Sequence, residues 1–325
     1  MVSEFLCAAI GRLCYYDDDR QKRIYATEVI KYGSGRSDDG WWNAERMVEQ
    51  TQKAIRIFNR AFPNDIAVFA FDNSSGHACK AVNALVARRM NLSPAGKQPL
   101  MHDTVFCGQD GQLYPQTMVF RRGDTLWDSD IPIQEEYVNK PKGMKRILQE
   151  RKLWRPDLLK QCGRATKDKK SRNLDYGDRL FEEEMNDYEA RTADQCEIGK
   201  DCCHLRILEA QPDFLKEKSM LETVINAAGH EVIFYPKFHC ELNYIEYYWG
   251  AVKRYTRSNC QYSFPELEKI LFVAFDSVEL KTIRRFADRS KRWMMAYING
   301  LTVEQREYAE KQYKSHRRAD RDVFV

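Results

Sequence analysis

An α/β fold is predicted by three features of the sequence. An unbroken apolar run, Ile66 to Phe71, ends on Asp72 and a turn-forming stretch; a shorter apolar strand, Val232 to Tyr235, is stopped by Pro236; and helical periodicities lie around both. Without polar alternation, the first run reads as a strand buried on both faces in the middle of a sheet. Asn73, Ser74, Ser75 and Gly76 are turn formers. Asp72 is therefore expected at the carboxyl end of a central strand, where open α/β sheets place their chemistry. Capping of the following helix is the bland alternative for this carboxylate.

The other elements follow in order. Met1 to Cys7 alternates and reads as a strand, and a second strand is expected over Arg23 to Ile30. Gly33 to Gly40 is a loop. A helix is expected over Ala44 to Ala61, with Met47, Ile55, Ile57 and Phe58 on its buried side. After the Asp72 strand, Ala78 to Met90 resumes a helical pattern through Val82, Leu85, Val86 and Arg89. From Ser93 to about Gly199, Pro, Gly and charge runs break any long period. That region reads as a loop-rich insertion with some helix, at Lys142 to Trp154 and Leu180 to Arg191. Pro212 opens a helix carrying Phe214, Leu221, Val224, Ile225 and Ala228, and Gly229 stops it. Leu242 to Arg257, Pro265 to Phe275, Leu280 to Asn299 and Val303 to Tyr313 make an all-helical C-terminal third. The implied division is residues 1–92 and 205–258 for the core, 93–204 for the insertion, and 259–325 for a helical extension.

A chain of 325 residues with 43% hydrophobic and 31% charged residues can bury one large core or two modest ones. The net charge is only +4. Tyr308 to Val325 nevertheless concentrates Lys311, Lys314, Arg317, Arg318 and Arg321, which suits phosphate contact as well as a solvated helix face. Ten cysteines, no secretory signal and no bilayer-length apolar run point to a reducing, intracellular setting without a membrane. No phosphate-cradling Gly-x-Gly-x-x-Gly follows a strand, and no Gly-x-Ser-x-Gly elbow is present.

The second informative stretch is Tyr235-Pro236-Lys237-Phe238-His239-Cys240-Glu241-Leu242-Asn243-Tyr244-Ile245-Glu246-Tyr247-Tyr248-Trp249. Leu242, Ile245, Trp249 and Val252 fall at helical spacing and predict the buried face, with Glu246 toward the core side. A carboxylate there needs a cation, a metal or a hydrogen-bond donor. Lys253 or an arginine would serve, and so would a metal.

Asp72-Asn73 followed by His77, and Leu242-Asn243-x-Ile245-Glu246-x-x-Trp249 after a strand and a proline, resemble the second and third catalytic blocks of mariner-type transposases, the DDE superfamily endonucleases. With Gly96-Lys97-Gln98 and Lys314-Ser315-His316-Arg317-Arg318, nearly the whole chain is similar to transposase-derived proteins of fungal genomes. The resemblance implies a ribonuclease H-like mixed sheet and metal-dependent DNA strand cleavage and transfer. It makes Asp72 and Glu246 catalytic ligands of Mg²⁺ or Mn²⁺ in a two-metal site. Asn73, His77 and Asn243 become supporting or DNA-contacting groups. It further implies DNA as partner, nuclear residence and a homodimer.

The sequence departs from that pattern in two places. The interval from Asp72 to Glu246 is far longer than in simple mariner enzymes, which the insertion accounts for. In the family the first catalytic Asp lies upstream of the strand that Met1 to Cys7 resembles. Nothing precedes Met1 here, and Asp17, Asp18, Asp19, Asp38 and Asp39 sit in loop-like stretches. The expectation is a truncated frame without the first strand or the helix-turn-helix region, and with impaired activity. A non-catalytic nucleic-acid-binding remnant, keeping Arg284, Arg285, Arg289, Lys291 and Arg292, is the alternative. Cys162, Cys196, Cys202, Cys203 and His204 are candidate ligands of a structural Zn²⁺, against free buried cysteines.

Overall fold

The structure is a computed structural model and describes residues 1–31, 40–74, 76–161, 201–261, 263–302 and 304–305. It is a mixed α/β protein with small two-stranded sheets, and it divides into two compact units, Met1–Cys79 with Met220–Val325, and Lys80–Ser219.

In the first unit, β1 (Val2–Ser3) pairs antiparallel with β6 (Glu28–Val29), β2 (Leu6–Cys7) with β3 (Gly11–Arg12), and β4 (Cys14–Asp17) with β5 (Lys22–Tyr25). The two long strands expected at Met1 to Cys7 and Arg23 to Ile30 are thus each broken in two. Glu4 supplies the reason for the first break. Its carboxylate turns inward and takes the Arg12 guanidinium at 2.9 Å and the Thr27 hydroxyl at 2.6 Å. Asp17 is not in a loop: it ends β4, opposite Lys22. Asp38 and Asp39 lie outside the described residues.

Helix α1 (Ala44–Ala61) keeps its predicted bounds. Asn43 caps it, accepting from the Arg46 N–H at 3.0 Å, and Met47, Thr51, Ala54 and Ile55 fall on one buried face. That face meets β7 (Val68–Phe71) and α5 (Met220–Ala227) in a core of Leu13, Ala54, Ile57, Phe69, Phe71, Leu221 and Ile225. β7 pairs parallel with β10 (Glu231–Phe234), in register from Val68 opposite Glu231 to Phe71 opposite Phe234.

β7 is not buried on both faces. Ala67, Phe69 and Phe71 are buried, whereas Ile66 is 68% exposed and Val68 55% exposed, with Ile233 of β10 exposed on the same side. Helices cover one face of this pair of strands, and an unbroken apolar run cannot by itself report which faces are covered.

The three C-terminal helices of this unit are α6 (Ile245–Asn259), α7 (Phe264–Asp276) and α8 (Leu280–Ile298), around a core of Tyr248, Val252, Ala274, Phe275 and Ile283. Ser263 caps α7. Of the helix expected at Val303 to Tyr313, residues 304 and 305 are helical and the others lie outside the described residues.

The second unit has a core of its own, where a loop-rich insertion with little core was expected. Met90, Met101, Met118, Met144, Ile147, Leu148, Leu205, Leu208 and Phe214 are buried together. They come from α2 (Gly143–Glu150), α3 (His204–Glu209), α4 (Pro212–Leu215) and the surroundings of a hairpin of β8 (Thr104–Cys107) and β9 (Leu113–Gln116). Arg151 and Asp213 form a buried bidentate pair, 2.9 and 2.7 Å.

Two expected helices are corrected here. Ala78 to Met90 forms only a single 3₁₀ turn, Ala87–Arg89, and Val82 is exposed. Helix-forming carbonyls are taken by other groups: the Arg89 guanidinium donates to the Ala81 and Lys80 carbonyl oxygens, and the His102 N–H donates to that of Asn83. The helix expected from Pro212 to Ala228 is two, α4 and α5. Phe214 buries in one unit's core, and Leu221 and Ile225 in the other's. The segment Leu180 to Arg191 lies outside the described residues.

Candidate active site at the carboxyl edge of the parallel strands

The Tyr235 N–H donates to the Phe71 carbonyl oxygen at 2.8 Å, one step beyond the last paired residues of β7 and β10. Asp72 and Tyr235 therefore leave the sheet side by side, each at the start of a turn.

The turn after β7 folds back on Asp72. His77 Nδ1 lies against the Asp72 carboxylate, 2.9 Å from the Asp72 carbonyl oxygen and 2.8 Å from Ser74 Oγ. A carboxylate and a carbonyl can only accept, so Nδ1 carries the proton they share. The His77 ring also packs on Phe71, centroids 5.0 Å apart. The hydrogen bond from His77 holds the Asp72 carboxyl below its ordinary range, against an opposing push from partial burial. Asp72 is thus an ionised, half-exposed carboxylate. Of the supporting residues expected from sequence, His77 is brought to it, and Asn73 is exposed beside it.

The turn after β10 runs through a 3₁₀ turn, Cys240–Leu242, into α6. Glu246 sits in the first turn of that helix, where the exposed N–H groups favour an anion. It does not point to the core. Tyr248 and Val252 are the fully buried pair, and Glu246, two residues before Tyr248, falls on the exposed side. Ile245 and Trp249 pack only at the margin of the core, because the helix begins at Ile245 and Leu242 belongs to the preceding turn. Asn243 links the two, its carbonyl oxygen accepting from the Glu246 N–H at 3.1 Å.

Glu241 was not singled out from sequence, yet it organises this turn. Its Oε1 accepts from His239 Nδ1 at 2.7 Å and from the Tyr297 hydroxyl at 2.6 Å. Its carbonyl oxygen accepts from Ser290 Oγ at 3.0 Å and from the Tyr247 hydroxyl at 3.2 Å. Burial pushes the Glu241 carboxyl up, but the Tyr297 and His239 hydrogen bonds outweigh it and the carboxyl stays low. A carboxylate two residues after a histidine, and three before another aromatic hydroxyl, that of Tyr244, carried no recognisable spacing signal; its partners on α8 are remote in sequence.

Hard carboxylate oxygens suit Mg²⁺ or Mn²⁺, and one or two of them can hold such an ion together with phosphate oxygens. Among the described residues no group of three His, Cys, Asp or Glu gathers at one point. Asp72 and Glu246 each offer hard carboxylate oxygens at turns that follow β7 and β10, Asp72 partly exposed and Glu246 exposed.

For zinc, Cys162 and Cys196 lie outside the described residues. Cys203 is buried in the second unit's core, and Cys202 packs beside it. The His204 ring stacks on Trp154, centroids 4.0 Å apart, and Nε2 donates to the Arg155 carbonyl oxygen at 2.8 Å. That leaves Nδ1 as the bare nitrogen, buried and without a hydrogen-bond partner. Among the described residues, no helix is long and apolar enough to cross a membrane.

No family model, no curated protein and no solved structure matches the chain.

Proposed function

We propose that this protein is a DNA-handling domain of the ribonuclease H-like, DDE-transposase type, in which Asp72 and Glu246 hold one Mg²⁺ or Mn²⁺ against a DNA phosphate. The observation that carries this reading is the parallel pairing of β7 with β10. It sets an ionised Asp72 beside the turn that leads into α6, with Glu246 in the first turn of that helix. When bound, the ion supplies charge neutralisation at the attacked phosphate. The chain's own contribution is positional: His77 orients and keeps ionised the Asp72 carboxylate, and the N-terminus of α6 presents Glu246 to solvent.

Strand cleavage is weak in this reading, because two carboxylates do not supply the shared ligand of a two-metal site. DNA binding is the activity that persists, with the exposed arginines and lysines of α8 facing phosphates in a nuclear setting. The zinc reading survives in one respect, the bare Nδ1 of His204.

The test pairs two assays on the full chain: nicking of supercoiled plasmid in Mg²⁺ or Mn²⁺, and DNA binding across a salt series. The proposal expects salt-sensitive binding that divalent ions strengthen, with that gain lost in Asp72→Ala and Glu246→Ala. Binding that ignores divalent ions in every variant would leave a plain nucleic-acid binder, and no DNA binding at low salt would end the reading.

A further inference from the structure

We infer that Phe238 is a wedge on which a DNA base stacks, an assignment that rests on the DNA-handling role proposed above. Two costs fall on this one residue. Its side chain is 91% exposed, which leaves a full aromatic surface in water. Its backbone is left-handed, with φ at +65°, a conformation that is an outlier for a bulky side chain. Among the described residues, the other non-glycine positions at positive φ are Gln21, Ala95, Asp128, Asn139 and Lys152, and none of these is aromatic. Strained backbone persists where its surroundings over-determine it, and it clusters at sites of function.

The surroundings do over-determine it. Upstream, Tyr235 is tied to Phe71 and buried with Leu242 and Trp293. Downstream, His239 is locked to Glu241, and Glu241 is locked to Ser290 and Tyr297 of α8. The His239 ring packs edge-on against Tyr297, centroids 5.0 Å apart. Between two fixed ends the phenyl ring is held out from the protein, at the same edge of the sheet as Asp72.

Charge favours a nucleic-acid occupant over an apolar protein pocket. Lys237 precedes Phe238, and the helix that clamps the loop exposes Arg285, Lys291 and Arg292. A rigid aromatic ring beside cations is the arrangement that binds single-stranded or unpaired bases through stacking, with phosphates paired nearby. Glu241 and His239 act as positioning residues for the ring.

The experiment uses the full chain with a single-stranded oligonucleotide carrying 2-aminopurine, together with Phe238→Ala, Phe238→Trp and Glu241→Gln. Wild type and Phe238→Trp are expected to quench the 2-aminopurine on binding. Phe238→Ala is expected to lose the quench and about 5- to 100-fold in single-strand affinity, while its Tm is unchanged or higher and its binding to intact duplex at low salt persists. Glu241→Gln is expected to weaken the quench in proportion to loosening of the loop. If Phe238→Ala binds and quenches like wild type, or if it alters only sedimentation as a dimer, the wedge is overturned while DNA binding stands. If wild type binds no DNA, the function reading and the wedge fall together.

Discussion

His77 Nδ1 rests against the Asp72 carboxylate and lies 2.9 Å from the Asp72 carbonyl oxygen, so one imidazole closes the turn on both polar groups of a single residue. The Asp72 carboxyl is depressed below its ordinary value of 3.8, first because of this hydrogen bond. A carboxyl depressed on folding adds stability that is present above its unfolded value and disappears as pH falls through the folded one. Wild type should therefore lose stability as pH falls below about 4, and His77→Ala should show a shallower loss over the same acid range. Melting temperatures of both proteins across the acid range check this; parallel curves would mean that the pair does not influence the Asp72 carboxyl.

Glu4 presents the opposite sign. Burial pushes its carboxyl above the ordinary value of 4.5, and Arg12 and Thr27 offset only part of that. A raised carboxyl favours folding below its unfolded value and loses that advantage as pH rises through the folded one. Arg12 also reaches Asp276 at 2.7 Å and stacks over the Tyr25 ring at 4.0 Å. Arg12→Met should cost about 3–5 kcal/mol at pH 7, because it strands a buried carboxylate. The cost should shrink toward pH 4.5, where Glu4 can protonate, and Glu4→Gln should restore much of it. Urea unfolding of the single and double variants at pH 7 and pH 4.5 reads each of these differences.

How much of this could be seen in the sequence depended on whether a residue's neighbours were near it along the chain. Helix α1 was legible to its ends, because Asn43 caps it and its buried positions recur every three or four residues. The strand ending at Asp72 and its partner before Pro236 were legible as strands. Their covering was not: apolar Val68 and apolar Phe69 look alike in sequence, and only the positions of α1 and α5 decide which is buried. The lost helix at Ala78 to Met90 shows the same limit, since Arg89 and His102 claim carbonyls that a local pattern assigns to helix hydrogen bonds. At the site, Asp72 and His77 sit five residues apart and were singled out together. Glu241 was missed because Ser290 and Tyr297 give it meaning from a distant helix.

Gly143 tests how the second unit is closed. Its φ is +75°, and an added Cβ would stand 2.5 Å from the Ser93 carbonyl oxygen, which is backbone and cannot swing aside. The first N–H groups of α2 donate to Asn91 and Leu92, so this crossing holds the helix in place. Gly143→Ala should cost upward of about 2 kcal/mol, from the left-handed backbone and the displaced Ser93–Pro94 backbone together. Proteolysis of the Lys80–Ser219 unit should accelerate in the variant, while a control at Gly111, whose Cβ would meet nothing within 4 Å, should lose only the backbone term.

The two faces of β7 make the sharpest test of the fold. Phe69 and Phe71 bury against α1 and α5, with the Phe5 ring edge-on to both at 5.8 and 6.0 Å. Phe69→Ala or Phe71→Ala should cost about 3–5 kcal/mol by transfer and cavity terms. Val68→Thr keeps a β-branched side chain on the exposed face, and Ile66→Thr does the same one step earlier, so each should change stability by no more than about 0.5 kcal/mol. Denaturant midpoints for the four variants separate the faces directly. A loss of several kcal/mol from Val68→Thr would mean that this face is covered in the working protein, and the parallel pair would then be the interior of a larger sheet.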